Sequence, residues 1–309
     1  MTITNSVLID KAKKLGFDLV GLAKAEVLES ESQKLQEWLS RGYQSGMQYM
    51  ERNSEKRRDV KNIFPEARSV ISLGINYYQQ GSFSEGKAKI SRYAWGKDYH
   101  LIIWEKLDQL EKQLKEIDAD FCAKSFTDTG PLMDKAWAVR AGLGWMGKHT
   151  NIINHEYGSW IFLATMLTSY EFEYSPVIND FCGTCTRCID ACPTNAITDE
   201  YVLNAGRCIS YLTIENKNEI PKEFEDKFQD WVFGCDICQD VCPWNNKFNQ
   251  VTVHEEFSSK ENVEFEADEI LLMSENDFTE RFKYSPVKRT KITGFKRNAE
   301  FLKQKRNYL

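Results

Sequence analysis

Nine cysteines constrain this 309-residue chain more than any other feature, because eight of them crowd between Cys182 and Cys242. The first group reads Cys182-Gly-Thr-Cys185-Thr-Arg-Cys188-Ile-Asp-Ala-Cys192-Pro193, a C-x2-C-x2-C-x3-C-P run. That spacing wraps thiolates around a pair of [4Fe–4S] clusters. The second group is Cys208 followed by Cys235-Asp-Ile-Cys238-Gln-Asp-Val-Cys242-Pro243, the same ending with its first member displaced upstream. Three close thiolates surround one cubane, and the chain direction sends the fourth to its neighbour. By that rule Cys182, Cys185, Cys188 and Cys242 hold one cluster, and Cys192, Cys208, Cys235 and Cys238 hold the other. Zinc is the competing occupant, since paired C-x2-C groups also build zinc ribbons. The repeated ending and the even division of eight ligands favour iron and sulfide; disulfides rank below both. Cys122, in the apolar run Asp120–Ala123, is expected to be a buried core thiol.

Hydrophobic residues at 42% and charged residues at 28% describe an ordinary globular protein. The N-terminus MTITNSVLIDKAKKLGF reads as a short amphipathic helix without an apolar signal core. The longest apolar run, Trp160 to Leu167, is far below the ~20 residues of a spanning helix. No membrane association is expected, and a reducing cytoplasm suits cysteines that hold metal. The net charge of −6 hides an asymmetry: residues 281–309 carry ten Lys/Arg against one acid, so the remainder stands at −15. A basic end on an acidic body suits a bound polyanion; a merely solvated charge run is the alternative.

Residues 1–175 alternate helical and strand patterns and are read as an α/β (α+β) domain. Helices are expected over Asn5–Leu15, Glu31–Arg41, Tyr99–Ile117 and Leu132–Ala141, and strands over Asp18–Leu22, Ser69–Tyr77, Ala119–Phe126 and Ser159–Thr168. Residues 176–250 form a ferredoxin-like two-cluster unit, and 251–309 a helical, basic C-terminal segment. Two clusters make an electron path and not a reaction. The long segment before them therefore points to a redox enzyme with a second cofactor or a substrate site in its N-terminal part.

Gly142-Leu-Gly144-Trp-Met-Gly147 matches G-x-G-x-x-G, but it follows a helical stretch where a dinucleotide site needs a strand. Gly142 is better read as a helix stop. Asp134 closes Thr129-Gly-Pro131-Leu-Met-Asp134, a cap, a proline and a first-turn acid. Acids are common there because they suit the helix dipole, which also favours the ionised form. A proton donor at this position needs desolvation to offset it.

The chain resembles the epoxyqueuosine reductase family over nearly its full length. The resemblance rests on Arg52-Asn-Ser-Glu-Lys-Arg57, Arg92-Tyr-Ala-Trp-Gly-Lys-Asp-Tyr-His100, Asp128-Thr-Gly-Pro-Leu-Met-Asp134 and Ala141-Gly-Leu-Gly-Trp-Met-Gly-Lys148. It continues through Cys208-Ile-Ser-Tyr-Leu-Thr-Ile-Glu215, Cys242-Pro-Trp-Asn245, Ser285-Pro and Phe295-Lys-Arg-Asn-Ala299. Longer relatives add a HEAT-like repeat near where this chain stops. The resemblance implies a base-off cobalamin in an α/β domain akin to reductive dehalogenases. It also implies reduction of epoxyqueuosine to queuosine at the tRNA wobble position, with oxygen leaving as water. The clusters would reduce cob(II)alamin to cob(I)alamin, a metal nucleophile for the epoxide, while Asp134 donates a proton.

Carried over by motif, the cobalamin contacts are Arg57, Lys97, Asp134, Gly158, Ser159, Ser169, Ser210, Thr213 and Glu215. The tRNA contacts so implied are Lys222, Arg281, Lys283, Lys296, Arg297 and Asn298, with Lys288, Arg289 and Lys291 in the same basic stretch. His100, His149 and His155 are read as hydrogen-bonding histidines and not cobalt ligands. The resemblance further implies a monomer served by a low-potential donor such as flavodoxin or ferredoxin. Rival readings are a dehalogenase-like enzyme on a small substrate, which leaves the basic end without a purpose, and a non-enzymatic electron carrier, which needs no corrin.

Overall fold

The computed structural model describes residues 2–258 and 261–304, so Lys305 and Arg306 of the basic end lie outside the described residues. Leu19–Lys24, Ser69–Asn76, Ile161–Thr168 and Ala123–Phe126 lie side by side in that order in one sheet. Each neighbouring pair is antiparallel. Strands and helices interleave along the chain as expected, yet the arrangement is α+β, because the connecting helices do not return the chain to parallel strands.

The period-2 alternation of the strands sorts the side chains onto two faces. Leu22, Ile71, Leu73, Ile75, Phe162 and Met166 meet Leu8 and Ala12 of helix Asn5–Lys14 and Ile103, Leu107 and Leu110 of helix Tyr99–Lys115. The opposite face presents Ala23, Val70 and Leu167 to Trp137 and Ala138 of helix Asp134–Arg140. That short helix lies very close to the sheet: a Cβ at Gly21 would stand 2.0 Å from the Ala141 carbonyl oxygen. The helix ends at Gly142, whose φ of +70° is the left-handed stop. The glycine run then enters the ribbon Trp145–Met146 and Ile152–Ile153, which is no dinucleotide loop.

One expectation is overturned here. Cys122 is exposed, while its neighbour Phe121 fills the core at 1%. The cysteine precedes the edge strand Ala123–Phe126, and alternation gives the inward position to the larger apolar ring.

A further core joins three remote stretches. Ala88, Ile90 and Trp95 pack with Ile209, Leu212, Phe224 and Phe233, and with Phe278, Phe282, Phe295 and Ala299 from the C-terminal helices. The strands Trp231–Phe233, Ala88–Ile90 and Glu264–Phe265 form a small sheet beside it. The basic end is therefore built into the body through the apolar face of helix Lys291–Gln304.

Arg92 locks the N-terminal part to the cysteine segment. Its side chain is nearly buried, with Nη1 donating to Asp236 Oδ2 at 3.0 Å and Asp240 Oδ1 at 2.8 Å. The Arg92 backbone N–H and Ser91 Oγ also donate to Asp236, which stands between Cys235 and Cys238. The guanidinium lies over Trp95 and Trp160, 5.4 and 5.1 Å from the ring centroids. Arg92→Met would strand the buried Asp236 carboxylate and should destabilise the cluster-loaded protein by about 3–5 kcal/mol in denaturant titrations. Arg58→Met, which removes an exposed partner of Glu29, should cost under about 1 kcal/mol.

Candidate functional site

Cys182, Cys185, Cys188 and Cys242 line one cavity of about 310 Å³, together with Lys148, His149, Ile153, Phe181, Pro243 and Trp244. Burial, then the neighbouring Cys242, Cys182 and Cys185, push the Cys188 thiol up to about 11. Cys242 is also raised by burial, against the backbone N–H groups of Asn245 and Trp244 that point at it. These belong to the start of helix Pro243–Phe248 and favour a thiolate. Lys148, 2% exposed, anchors the wall by donating Nζ to Gly183 O at 2.6 Å and to Glu200. Four thiolates on one zinc hold it at ~2.3 Å and close up around it. A cavity of this size suits a cluster.

The other four cysteines form an adjoining set. Burial raises Cys238 well above the ordinary thiol value, and Cys208, Cys192 and Cys188 add to it. Cys235 is raised by burial and by Cys238 and Cys208. Cys208, also raised by burial, receives the backbone N–H groups of Tyr211 and Ser210 at the start of helix Ile209–Ile214. Cys192 Sγ accepts the Ala196 N–H at 3.2 Å. Cys188 thus feels Cys242, Cys182 and Cys185, and Cys238 feels Cys208, Cys192 and Cys188. Such repelling thiols are stable as thiolates only around a multiply charged cationic centre.

Asp134 opens the helix Asp134–Arg140, which packs on the sheet through Trp137 and Ala138. Burial pushes its carboxyl up to about 6, against the hydrogen bond from Thr165 Oγ1 and helped by the charge of Asp128. That bond measures 2.8 Å. Beside it Arg57 is buried, donating Nη1 to Leu132 O at 3.0 Å and Nη2 to Tyr49 O at 3.3 Å, while its Nε has no partner among the described residues. Desolvation lowers the next residue, Lys135, against the charges of Asp128, Cys238, Cys208 and Asp134. Lys135 thus feels both Asp134 and the second cysteine set, while its Nζ donates to Thr150 O at 2.8 Å and Asn151 Oδ1 at 3.0 Å. The phenol of Tyr49, raised mainly by burial, feels Glu215, Arg289, Asp128 and Arg57, which places these groups around the same cleft.

The motif-derived contacts divide. Arg57, Asp134 and Glu215 surround the cleft, and Glu215 pairs with Arg289. Lys97 is exposed, and Ser169 and Ser210 are half-buried. Ser159 is 4% exposed, and its Oγ accepts from Gln239 and Asn245 at the joint with the cysteine segment. Gly158 backs onto the same Asn245, whose Oδ1 would lie 2.1 Å from an added Cβ. Thr213, at 0%, donates to Ile209 O and accepts the Gly234 N–H. These three positions serve the framework, because their polar groups are already used inside the fold.

The basic positions divide likewise. Lys222 and Lys283 are exposed and Lys296 is half-buried. Arg281 is held by Glu269, Asn262 and the Glu261 carbonyl. Arg297 donates to Leu212, Asn216 and Asn218 carbonyls. Asn298, at 0%, donates to Thr213 O and Val232 O, so it faces the core and not a nucleic acid. Lys217, lowered by burial, shares its neighbourhood with Arg289, Arg297 and Lys291. Motif reading missed Tyr49, Tyr93 and Tyr99 and did not single out Asp128. Tyr93, Tyr99 and Asp128 lie inside the quoted motifs, but no spacing rule shows that they converge. His100 behaves as expected, with Nδ1 2.7 Å from Asp98 Oδ1.

Residues 57–129 match the family described as epoxyqueuosine reductase QueG, DUF1730, and residues 181–245 match the 4Fe-4S double cluster binding domain. The epoxyqueuosine reductase of Cellulophaga algicola is 44% identical over 299 residues, covering 95% of this chain and 96% of its own. That of Leadbetterella byssophila is 46% identical over 293 residues, again covering 95% and 96%. An epoxyqueuosine reductase crystallised with an epoxyqueuosine-modified tRNA-Tyr stem loop superposes with a TM-score of 0.91 at 37% identity, over 97% of this chain and 80% of that one. The Bacillus subtilis epoxyqueuosine reductase, solved with its catalytic loop swung out of the active site, gives 0.91 at 36%, over 97% and 81%.

Crossed ligation means that Cys242→Ser, although in the second group, should remove the first cluster and lower iron from about eight to about four per chain. Iron and sulfide analysis of anaerobically purified protein checks this. The Asp134 carboxyl, raised above the ordinary 3.8, should be protonated below about pH 6 and lose its carbonyl band in infrared difference spectra as pH rises through that value. Asp134→Asn should abolish the band.

Proposed function

The chain belongs to the epoxyqueuosine reductase family, and from that premise we propose that its own residues carry out the reduction of epoxyqueuosine to queuosine at the wobble position of tRNA. The observation that supports this reading is the raised Asp134 carboxyl, hydrogen-bonded by Thr165, with the adjoining Lys135 feeling Cys208 and Cys238; the space between them is read as the gap that takes the reacting groups. Loss of an epoxide oxygen as water consumes two electrons and two protons. The cluster cages supply a route for single electrons up to the edge of that gap. Asp134 supplies a proton at its far wall.

The gap fits a base-off cobalamin on one feature of the site itself: the buried Arg57 Nε, unpartnered beside Asp134, offers a donor to an incoming phosphate or amide oxygen. Arg57, Lys97, Asp134, Ser169, Ser210 and Glu215 are the side chains that would hold it. When bound, such a group supplies a low-valent cobalt nucleophile for carbon–oxygen cleavage. Asp134 then meets the alkoxide charge that develops as the ring opens and hands over its proton at the carboxyl oxygen. Thr165 fixes the orientation of that carboxyl through Oδ1. Exclusion of water by the bound tRNA raises the carboxyl further and keeps it protonated at neutral pH.

Lys222, Lys283 and Lys296 meet RNA phosphates, with salt-dependent affinity, while the extruded modified base confers specificity. Arg281 and Arg297 hold the surface in shape through their carbonyl and carboxylate partners. The enzyme works as a cytoplasmic monomer. A low-potential donor such as flavodoxin or ferredoxin reaches the first cage at its exposed wall residues Phe181 and Lys247.

The test is turnover of epoxyqueuosine-containing tRNA by protein supplied with cobalamin and a low-potential reductant, followed as loss of one oxygen from the nucleoside. Asp134→Asn should still bind tRNA but turn over about 10²–10⁴-fold more slowly. An undiminished rate would remove Asp134 as the acid.

A further inference from the structure

The wall of the first cysteine cage contains a buried charge that the proposed reaction does not use. Lys148 is 2% exposed and lines the cavity beside Cys182, Cys185, Cys188 and Cys242. Its Nζ donates to Gly183 O at 2.6 Å, one residue past Cys182, and to the Glu200 carboxylate. Anchoring alone does not account for this residue type. A neutral donor would serve the Gly183 carbonyl equally well, whereas taking an ammonium out of water is costly.

The other charges around the cage stand in water. Lys247, Arg187 and Asp180 are exposed, and Glu200 keeps 48% of its side chain in solvent. Asp180 accepts the Cys182 N–H at 2.7 Å through Oδ1 and the Tyr201 hydroxyl through Oδ2. His149, in the same wall, accepts the Asn151 N–H at Nδ1, 3.2 Å away, and so carries no charge. Trp145 and Ile153 pack on Cys182 and Cys242 and close that side with apolar surface. Exposed charges are screened by water and salt, and buried ones far less. Lys148 is therefore the cation whose field the cage feels most.

We propose that the buried ammonium of Lys148 sets the reduction potential of the first cluster, holding it high enough to take single electrons from the donor. The inference depends on the double cluster and goes beyond the reductase reading, since it concerns the protein before any tRNA is bound. On reduction one electron passes from the donor to the cluster, and no bond breaks. The cluster with its four thiolates gains one negative charge, which a fixed cation nearby stabilises. Net charge and hydrogen bonding are among the terms that tune cluster potentials. The bond to Gly183 O keeps the ammonium against the ligand loop, and the half-solvated Glu200 offsets only part of its field. Around the second set the buried charges are already paired, because Asp236, between Cys235 and Cys238, shares Arg92 with Asp240. Loss of the Lys148 charge should thus act chiefly on the first cluster.

Redox titration of the anaerobically purified, cluster-loaded protein, followed by electron paramagnetic resonance without tRNA, reads both potentials. Lys148→Gln keeps a donor for the Gly183 carbonyl and removes the charge. It should retain about eight irons per chain. One midpoint should fall by about 59 mV, a tenfold loss of reduced cluster at a fixed ambient potential. Lys148→Arg restores the charge and should return that midpoint toward wild type, which a merely structural lysine would not require. In Cys242→Ser, which should lack the first cluster, adding Lys148→Gln should leave the remaining signal where it was. Glu200→Gln, an exposed change, frees Lys148 of its counter-charge and should raise the first midpoint. That variant decides the matter if Lys148→Gln fails to hold iron. An unchanged midpoint in Lys148→Gln, an equal shift of both clusters, or no rise in Glu200→Gln overturns the proposal. Failure of the reductase reading is separable, since a protein that leaves epoxyqueuosine tRNA untouched would still show these shifts.

Discussion

A single buried cation holds the parts of this molecule in register. Arg92 spends its guanidinium on Asp236 and Asp240 beneath a roof of aromatic rings, and Asp236 is the residue between two ligands of the second cysteine set. Removing the Asp236 carboxylate from water is unfavourable unless a partner meets it with good geometry. The segment around Cys235 and Cys238 therefore adopts its position only where the N-terminal part presents Arg92. The placement of these two cysteines against the N-terminal part depends on that joint.

Electrostatics divides the two sides of the gap by opposite means. On the cysteine side, burial and like charge raise the thiols, a cost that a polynuclear cationic cluster relieves. On the sheet side, burial raises one carboxyl so that it keeps a proton into the neutral range. The same physical cause, withdrawal of water, thus raises both the cysteine thiols and the Asp134 carboxyl. The basic end contributes to both: Lys288 and Arg289 reach back to Asp98 and Glu215, while other lysines remain on the surface.

Much of the chain could be read locally. Helix periodicity placed Asn5–Lys14 and Tyr99–Lys115 to within a turn, and the strand Ser69–Asn76 to within a residue. Gly142 was legible as a helix stop because its signal lies in the neighbouring helical pattern. Cys122 was not, because composition marks a run as apolar without saying which member faces inward on an edge strand. Asn298 and Thr213 carry motif signatures identical to those of surface contacts, but packing from distant segments seals them in the core.

The amino-acid sequence by itself determined that the cysteine segment is a double-cluster domain, since cluster wrapping is governed by the number of residues between thiolates, a covalent quantity. It also determined the asymmetry of charge and the family to which the chain belongs. Only the tertiary structure decided that the sheet is antiparallel throughout, that the basic end shares a core with the cysteine segment, and that Lys288 and Arg289 reach Asp98 and Glu215. Those relations join residues far apart in the chain. They exist only once the entropy of closing the intervening loops has been met by burial, and no local pattern of residues records them.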